Sequence, residues 1–168
     1  MSFEDLVKKR TSIRKFKDEQ IKKEELDKIL EISNLAPTAK NLQPQKIYVV
    51  ESSDGLEKID LVSPCRYGAK TVLIVCSDKN IAFSSNDHST YEIDASIVAT
   101  HIILAAASIN VGSVWVEMFD SKKTKELFNI DESIYPICLI PLGYASDDYI
   151  GNPMHNVKKD LNEIVKYI

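Results

Sequence analysis

Cysteine is scarce in this sequence, and its spacing excludes most structural uses. The three cysteines are Cys65, Cys76 and Cys138, an odd number with no C-x-x-C pair. This pattern argues against a disulfide framework. Cys76 and Cys138 lie inside apolar runs, which is typical of reduced core residues in a cytosolic protein. We therefore expect free thiols and a cytoplasmic location.

Histidine is equally scarce, and no pair stands at metal-ligand spacing. His88 and His155 lie in polar segments, and His101 lies within a predicted buried helix, where a satisfied core histidine is the usual reading. The sequence predicts no metal site.

The sequence also shows no targeting signal, membrane span, repeat or Pro/Gly-rich linker. Met1–Asp5 is polar from the start, and the longest weakly charged stretch, residues 95–116, contains Ser96, Thr100 and His101. Hydrophobic residues make up 44% and charged residues 27% of the chain, as in an ordinary globular protein. We expect one domain over residues 1–168 that does not engage a membrane.

Positive charge is concentrated at one end of an acidic chain. The net charge is −4, but residues 1–23 carry +4, so the remainder carries −8. A nucleic-acid track needs an extended basic surface, whereas a single basic patch suits a small anionic ligand. We therefore favour the small ligand and expect no nucleic-acid partner, although a small nucleic-acid-binding module remains a rival interpretation.

Hydrophobic periodicity predicts alternating strands and helices. Apolar runs bounded by turn residues predict four strands, at Lys46–Glu51, Thr71–Ser77, Ser113–Glu117 and Ile137–Gly143, the first two of them covered on both faces. Pro141 places its own strand at a sheet edge or at a bulge. Residues 78–91 are polar and irregular, which predicts a mobile loop.

The longest predicted helix, Glu92–Asn110, is apolar on every side. A helix with no polar face is buried on all faces. Because a domain of this size cannot cover such a helix completely, we expect a subunit interface to complete its burial.

The run Arg10–Phe16 places Arg10, Ser12 and Arg14 at alternate positions. In an extended segment these side chains point to one side and Ile13 to the other. Two guanidinium groups flanking a hydroxyl suit a phosphate or a carbonyl-like ring edge. The alternative is a solvated basic turn.

A second polar cluster lies in the loop from Pro37 to Gln45. Thr38, Asn41 and Gln43 could bind the edge of a heteroaromatic ring, because a carboxamide offers both a donor and an acceptor. The alternative is that these side chains bind the backbone of their own loop.

Taken together, these segments resemble the FMN-dependent nitroreductase family over nearly the whole chain. The family's shorter members carry an Arg-x-Ser-x-Arg-x-Phe segment, an Ala-Pro-Ser/Thr-x-x-Asn-x-Gln-Pro loop, a long alanine-rich helix and a basic tail. Here these are Arg10–Phe16, Ala36–Pro44, Asp94–Gly112 and Lys158-Lys159. The resemblance implies an α+β fold of three layers, with a central mixed or antiparallel sheet flanked by helices in an intertwined homodimer.

The resemblance also implies which residues bind FMN at the dimer interface. Arg10, Thr11, Ser12 and Arg14 match the segment that holds the phosphate, the ribityl chain and the pyrimidine edge, with Lys158 as a second phosphate partner. Pro37, Thr38, Ala39 and Asn41 match the loop that the other subunit brings to the ring, and Gln43 follows in that loop. Glu117 and Met118 match a turn whose backbone N–H reaches flavin N5.

The implied activity is NAD(P)H-dependent two-electron reduction of nitroaromatics, quinones or related acceptors by a ping-pong mechanism. Hydride transfer at N5 needs no side-chain acid, so no catalytic side chain is assigned. Four positions depart from the family: Thr11, Gln45, Met118 in place of Gly, and Lys158 in place of Arg. These departures leave open other chemistry on the same fold (ene-reduction, dehalogenation, flavin fragmentation) and a non-catalytic flavin-binding protein.

Overall fold

The computed structural model describes all 168 residues around a four-stranded sheet. Its strands run in the order β1 (Gln45–Val50), β2 (Thr71–Asp78), β6 (Ile134–Gly143) and β5 (Gly112–Ser113), and every neighbouring pair is antiparallel. Between β2 and β5, a short hairpin of β3 (Ser84–Ser85) and β4 (His88–Ser89) replaces part of the predicted irregular loop. The expected antiparallel sheet is therefore present.

Helices cover both faces of this sheet, which gives the predicted three layers. One face packs against the second and fourth helices and the other against the third and fifth, each with its own hydrophobic core. The helices are α1 (Phe3–Lys9), α2 (Lys23–Ser33), α3 (Ser53–Val62), α4 (Tyr91–Ser108), α5 (Ser121–Phe128) and α6 (Leu161–Ile164). None of them combines the length and the hydropathy that crossing a bilayer requires.

The two predicted buried strands differ in their surroundings. β2 is buried almost throughout: Leu73 and Val75 face α2 and α4, while Val72 and Ile74 face the other core. β1 lies at the sheet edge, and Val49 is 41% exposed, so its predicted coverage on both faces is wrong for the single chain. An apolar run alone does not reveal whether a strand has a second neighbour.

Pro141 does not mark a sheet edge, because β6 lies between β2 and β5. The irregularity of β6 is at Ile137, an extra residue between the positions that pair with Val75 and Cys76. The Pro141 carbonyl accepts the N–H of Val114, so its nitrogen also faces the β5 side, where regular pairing stops after Ser113. The missing N–H therefore breaks no regular ladder.

Polar residues just before the helices fix where they begin. Ser2 caps α1, Ser52 caps α3 and Asp120 caps α5. Each cap side chain accepts a backbone N–H of the first turn.

α4 is buried along one face only. A stripe of residues spaced at three and four positions stays exposed or half-buried on the opposite face: Ile93, Ile97, Thr100, Leu104 and Ala107. The predicted burial on all sides is thus incomplete in a single chain, as expected if a second chain covers the remainder.

Candidate functional site

The Arg10–Phe16 segment is extended and joined to the sheet. Ile13 donates its N–H to Ser113 O (2.9 Å), Ile13 and Phe16 are buried, and Arg14 is exposed on the other side. The predicted alternation is confirmed for Ile13 and Arg14, whereas Arg10 lines a cavity with Ile13 rather than with Ser12 and Arg14. The free basic turn is excluded because the segment pairs with β5. Neither Arg10 nor Arg14 forms an ion pair with a carboxylate.

Arg10 opens onto a cavity of about 170 Å³ at the C-terminal end of α4. Lys9, Thr11, Ala107 and Asn110 line it as well, and Lys9 Nζ donates to Asn110 Oδ1. Partial burial lowers the pKa of Arg10, because desolvation disfavours its charged form. A partly buried guanidinium without a carboxylate partner is suited to bind an anion.

The C-terminal segment closes a second cavity, of about 160 Å³, on the other side of Thr11. Its lining includes Ser12, Arg14 and His155. The predicted partner of Arg10, Lys158, is exposed and forms no hydrogen bond or ion pair, whereas Arg10 Nη2 lies 3.3 Å from His155 Nδ1. The sequence pattern misses His155 because the contact spans 145 positions along the chain.

A row of polar groups leads from Arg14 towards Met118. Interaction with Cys65 and burial raise the pKa of Tyr67, and the positive charge of Arg14 opposes this rise. Ser63 accepts the N–H of Cys65 (3.1 Å) and donates to Met118 O (2.7 Å). The sequence pattern does not place Tyr67; its one local signal is the adjacent glycine, since both Tyr67 and Gly68 have positive φ.

The turn at Glu117 and Met118 leaves backbone donors free. Neither N–H group has a hydrogen-bond acceptor within the chain, and the Met118 side chain is 63% exposed. The Glu117 carboxylate accepts the indole N–H of Trp115. A free N–H group at this position is what the expected contact with flavin N5 requires.

The Pro37–Gln45 loop is shaped by three left-handed residues, Lys40, Asn41 and Gln43, with φ of 51°, 55° and 51°. Thr38 Oγ1 accepts the N–H of Gln43 (3.0 Å), and Gln43 Nε2 donates to Asn41 O (3.2 Å). Binding to the loop's own backbone therefore holds for Thr38 and Gln43. The Asn41 carboxamide has no partner in the chain and remains available to a ligand.

Asp94 anchors this loop to the first turn of α4. Its carboxylate is buried, accepting the N–H of Ala39 at Oδ1 and the hydroxyl of Thr90 at Oδ2, both at 2.8 Å. The sequence pattern treats Asp94 as one more residue of the long helix. Its contact with Ala39 crosses 55 positions and leaves no periodic signal.

The two groups of expected flavin-binding residues lie at opposite ends of α4. The loop is fixed at Asp94, whereas the Arg10 cavity includes Ala107, 13 positions later, which is about 20 Å along a helix. The cavity of about 170 Å³ is also smaller than the ~300 Å³ of a typical small-molecule pocket. A single chain therefore offers a fitting anion site and free N–H donors, but only part of a pocket for FMN.

Comparison with known proteins shows that the chain is similar to one protein family. The model of the nitroreductase family matches residues 7–66 and 63–144. A protein of Methanothermobacter thermautotrophicus, named provisionally as an NADH dehydrogenase/NAD(P)H nitroreductase, is 34% identical over 153 residues, covering 86% of this chain and 78% of the relative. The crystal structure of a nitroreductase family protein from Clostridium difficile superposes with a TM-score of 0.92 at 32% identity, covering 99% and 98% of the chains.

A further solved structure shares the fold at lower identity. The protein from Exiguobacterium sibiricum, described in complex with FMN, has a TM-score of 0.86 at 20% identity and covers 100% of this chain and 98% of its own.

Proposed function

Because the chain belongs to the nitroreductase family, we propose that it is an FMN-dependent NAD(P)H oxidoreductase that acts as a homodimer. The observation that supports this most directly is the placement of two half-sites at the two ends of α4. If the exposed stripes of two α4 helices pack antiparallel about a two-fold axis, the loop of one copy meets the Arg10 segment of the other. Two complete sites result.

In this arrangement each chain contributes two sets of binding residues. Arg10, with Thr11, Ser12 and Lys158, binds the phosphate and the ribityl chain, and Arg14 lies at the pyrimidine edge. Glu117 and Met118 present their free N–H groups to the ring. The loop of the second copy covers the ring with the residues that the resemblance implies: Pro37, Thr38, Ala39, Asn41 and Gln43.

FMN, when bound, supplies the two-electron chemistry, in which NAD(P)H delivers a hydride and a nitroaromatic, a quinone or a related acceptor then takes the electrons in a ping-pong sequence. The chain's own residues provide charge and position. The Arg14 guanidinium offsets the negative charge that a reduced ring gains. The site residues include no side chain that must act as an acid.

The exposed Met118 supports one alternative. A side chain at a position where the family has Gly narrows the space over the ring and favours a flavin-binding protein without turnover. Reduction of the bound flavin by NADH or NADPH without air separates the two functions. We expect one or both nucleotides to bleach the flavin and an acceptor to restore its colour. If neither nucleotide reduces the flavin, the result supports a flavin-binding protein without turnover. A panel of nitroarenes, quinones and enones then distinguishes nitroreduction from ene-reduction.

We also propose a reducing, cytoplasmic environment for this enzyme. All three cysteines are free and buried. Burial raises the pKa of the Cys76 thiol to about 12 and raises that of Cys138 as well, so both stay protonated and unreactive.

Replacing Arg10 by Ala is expected to weaken FMN binding by about 1.5–3 kcal/mol, the value of a charged hydrogen bond. Titration of the flavin-free protein measures this loss as a rise in Kd of about tenfold to a hundredfold. Riboflavin, which has no phosphate, should bind equally well before and after the change. The matched control is Lys9→Ala, because the Lys9 ammonium is already bound to Asn110. Unchanged FMN affinity in Arg10→Ala contradicts the assignment.

Replacing Asn41 by Ala is expected to lower the two-electron potential of bound FMN. An amide donor stabilises the more negative, reduced ring, and its loss corresponds to about 10–30 mV, or roughly 0.5–1.4 kcal/mol. Equilibration with reference dyes measures the shift. The control Lys40→Ala removes a neighbouring side chain that lies over the ring of Phe83 instead. Equal potentials in both variants show that Asn41 does not contact the ring.

A further inference from the structure

His155 makes two polar contacts, one at each ring nitrogen. Its Nδ1 lies 3.3 Å from Arg10 Nη2, and its Nε2 lies 3.3 Å from the carbonyl oxygen of Lys8. An arginine can only donate and a carbonyl can only accept. Both contacts can be hydrogen bonds if the Nδ1 lone pair accepts from Arg10 and Nε2 donates to the Lys8 carbonyl.

The charged groups around this ring are mostly cations. Arg10 contacts it, Arg14 lines the same cavity, and the Lys8 ammonium is paired with Glu4. The other lining residues of this cavity are uncharged: Thr11, Ser12, Asn152 and Met154. Four further charged residues lie nearby in sequence, and none of them forms an ion pair or hydrogen bond with the His155 ring: Lys9, Lys158, Lys159 and Asp160. No carboxylate contacts the imidazole, so a protonated ring has no counter-ion until an anion enters.

We propose that His155 is a phosphate-binding residue that takes up one proton from solvent at Nδ1 when FMN binds. This inference rests on the proposed function, because it needs the FMN phosphate at Arg10. A dianion at Arg10 attracts the guanidinium and repels the neighbouring Nδ1 lone pair. Protonation of Nδ1 turns this repulsion into a charge-assisted hydrogen bond. His155 then adds a cation directly beside Arg10 at the phosphate, in addition to Lys158.

The proposal makes FMN affinity depend on pH with a defined sign. Binding favours the imidazolium, so affinity contributed by His155 is present at low pH and is lost as pH rises through the pKa of the ring in the complex. The phosphate has its own second pKa near ~6, which acts in the opposite direction. Comparing wild type with a His155 variant at the same pH cancels the contribution of the phosphate, because both proteins bind the same ligand.

The test compares wild type with His155→Gln, a side chain that retains a hydrogen-bond donor but has no proton to gain. Flavin-free dimer is titrated with FMN, and separately with riboflavin, at about pH 6 and about pH 8.5, on either side of the ordinary histidine pKa. We expect FMN to bind the variant about tenfold more weakly than wild type at the lower pH and within about twofold at the higher pH. Riboflavin should bind both proteins equally.

Calorimetry gives an independent readout that does not depend on turnover. Near pH 7, in two phosphate-free buffers with different ionisation enthalpies, wild type should take up more protons per FMN bound than His155→Gln. Equal proton uptake, or a pH dependence of FMN affinity that is the same in both proteins, overturns the proposal. An equal loss of FMN and riboflavin also overturns it, since the histidine would then support the fold. A wild-type protein that binds neither ligand contradicts the proposed function itself, and this inference with it.

Discussion

Thr100→Glu is expected to separate the dimer into monomers and to abolish stoichiometric FMN binding. Thr100 lies at the midpoint of α4, on its exposed stripe. In an antiparallel pair of α4 helices the two midpoints meet, so two carboxylates would face each other across the two-fold axis. Such a like-charge contact costs several kcal/mol, which raises the dimer Kd by about a hundredfold or more. Light scattering measures the mass, and flavin absorbance measures the FMN content.

The folded chain should survive this substitution. Thr100 is exposed, its hydroxyl bonds only to Ser96 O, and Glu is a better helix former than Thr. Thr100→Val, of the same shape, should remain a dimer with FMN. Leu61→Glu adds the same charge on α3, on the opposite layer, and should also remain a dimer. A monomeric Thr100→Glu protein with one FMN per chain would show that one chain completes the site.

The main helices and strands could be predicted because they depend on local patterns, whereas their arrangement in three layers was implied only by the family resemblance. The apolar run of β2 and the long apolar helix α4 are both present within one or two residues of their expected ends. The predicted strand Ser113–Glu117 is shorter: only Gly112 and Ser113 form a ladder, and Val116 makes an isolated bridge to Leu139. Apolar residues in that stretch are buried by the core instead, which the periodicity cannot distinguish from strand pairing.

The candidate site was predictable where its residues follow one another in sequence. The alternation in Arg10–Phe16 and the polar loop at Thr38–Gln43 are visible as strings of letters. The sequence does not reveal the roles of three other residues, because each depends on a partner far away along the chain: His155, Tyr67 and Asp94. Lys158 shows the reverse case: it matches the family pattern, yet it contacts nothing in the single chain.

Asp94→Ala is expected to destabilise the chain and to release the flavin-binding loop. The change removes two hydrogen bonds to a buried carboxylate, from Ala39 N–H and from the Thr90 hydroxyl. Hydrogen bonds to charged groups contribute about 1.5–3 kcal/mol each, so we expect a loss of about 3–5 kcal/mol in the free energy of unfolding. For a chain of this size this lowers Tm by on the order of 10 °C, which calorimetry measures.

The loss of stability in Asp94→Ala should concentrate at the Pro37–Gln45 loop. Two control variants separate this effect from general damage to α4. Glu92→Ala removes an exposed carboxylate from the same first turn. It should cost the helix-dipole contribution, about 0.3–1 kcal/mol, and an exposed hydrogen bond from the Tyr91 hydroxyl, which together are less than the loss of the buried Asp94 contacts. Asp94→Asn retains an oxygen for the Ala39 N–H but offers no second acceptor to Thr90, so we expect an intermediate loss. Hydrogen exchange at Ala39 should quicken in Asp94→Ala and much less in Asp94→Asn. If Asp94→Ala and Glu92→Ala melt at the same temperature, the buried carboxylate does not hold the loop, because a dipole effect alone then accounts for both.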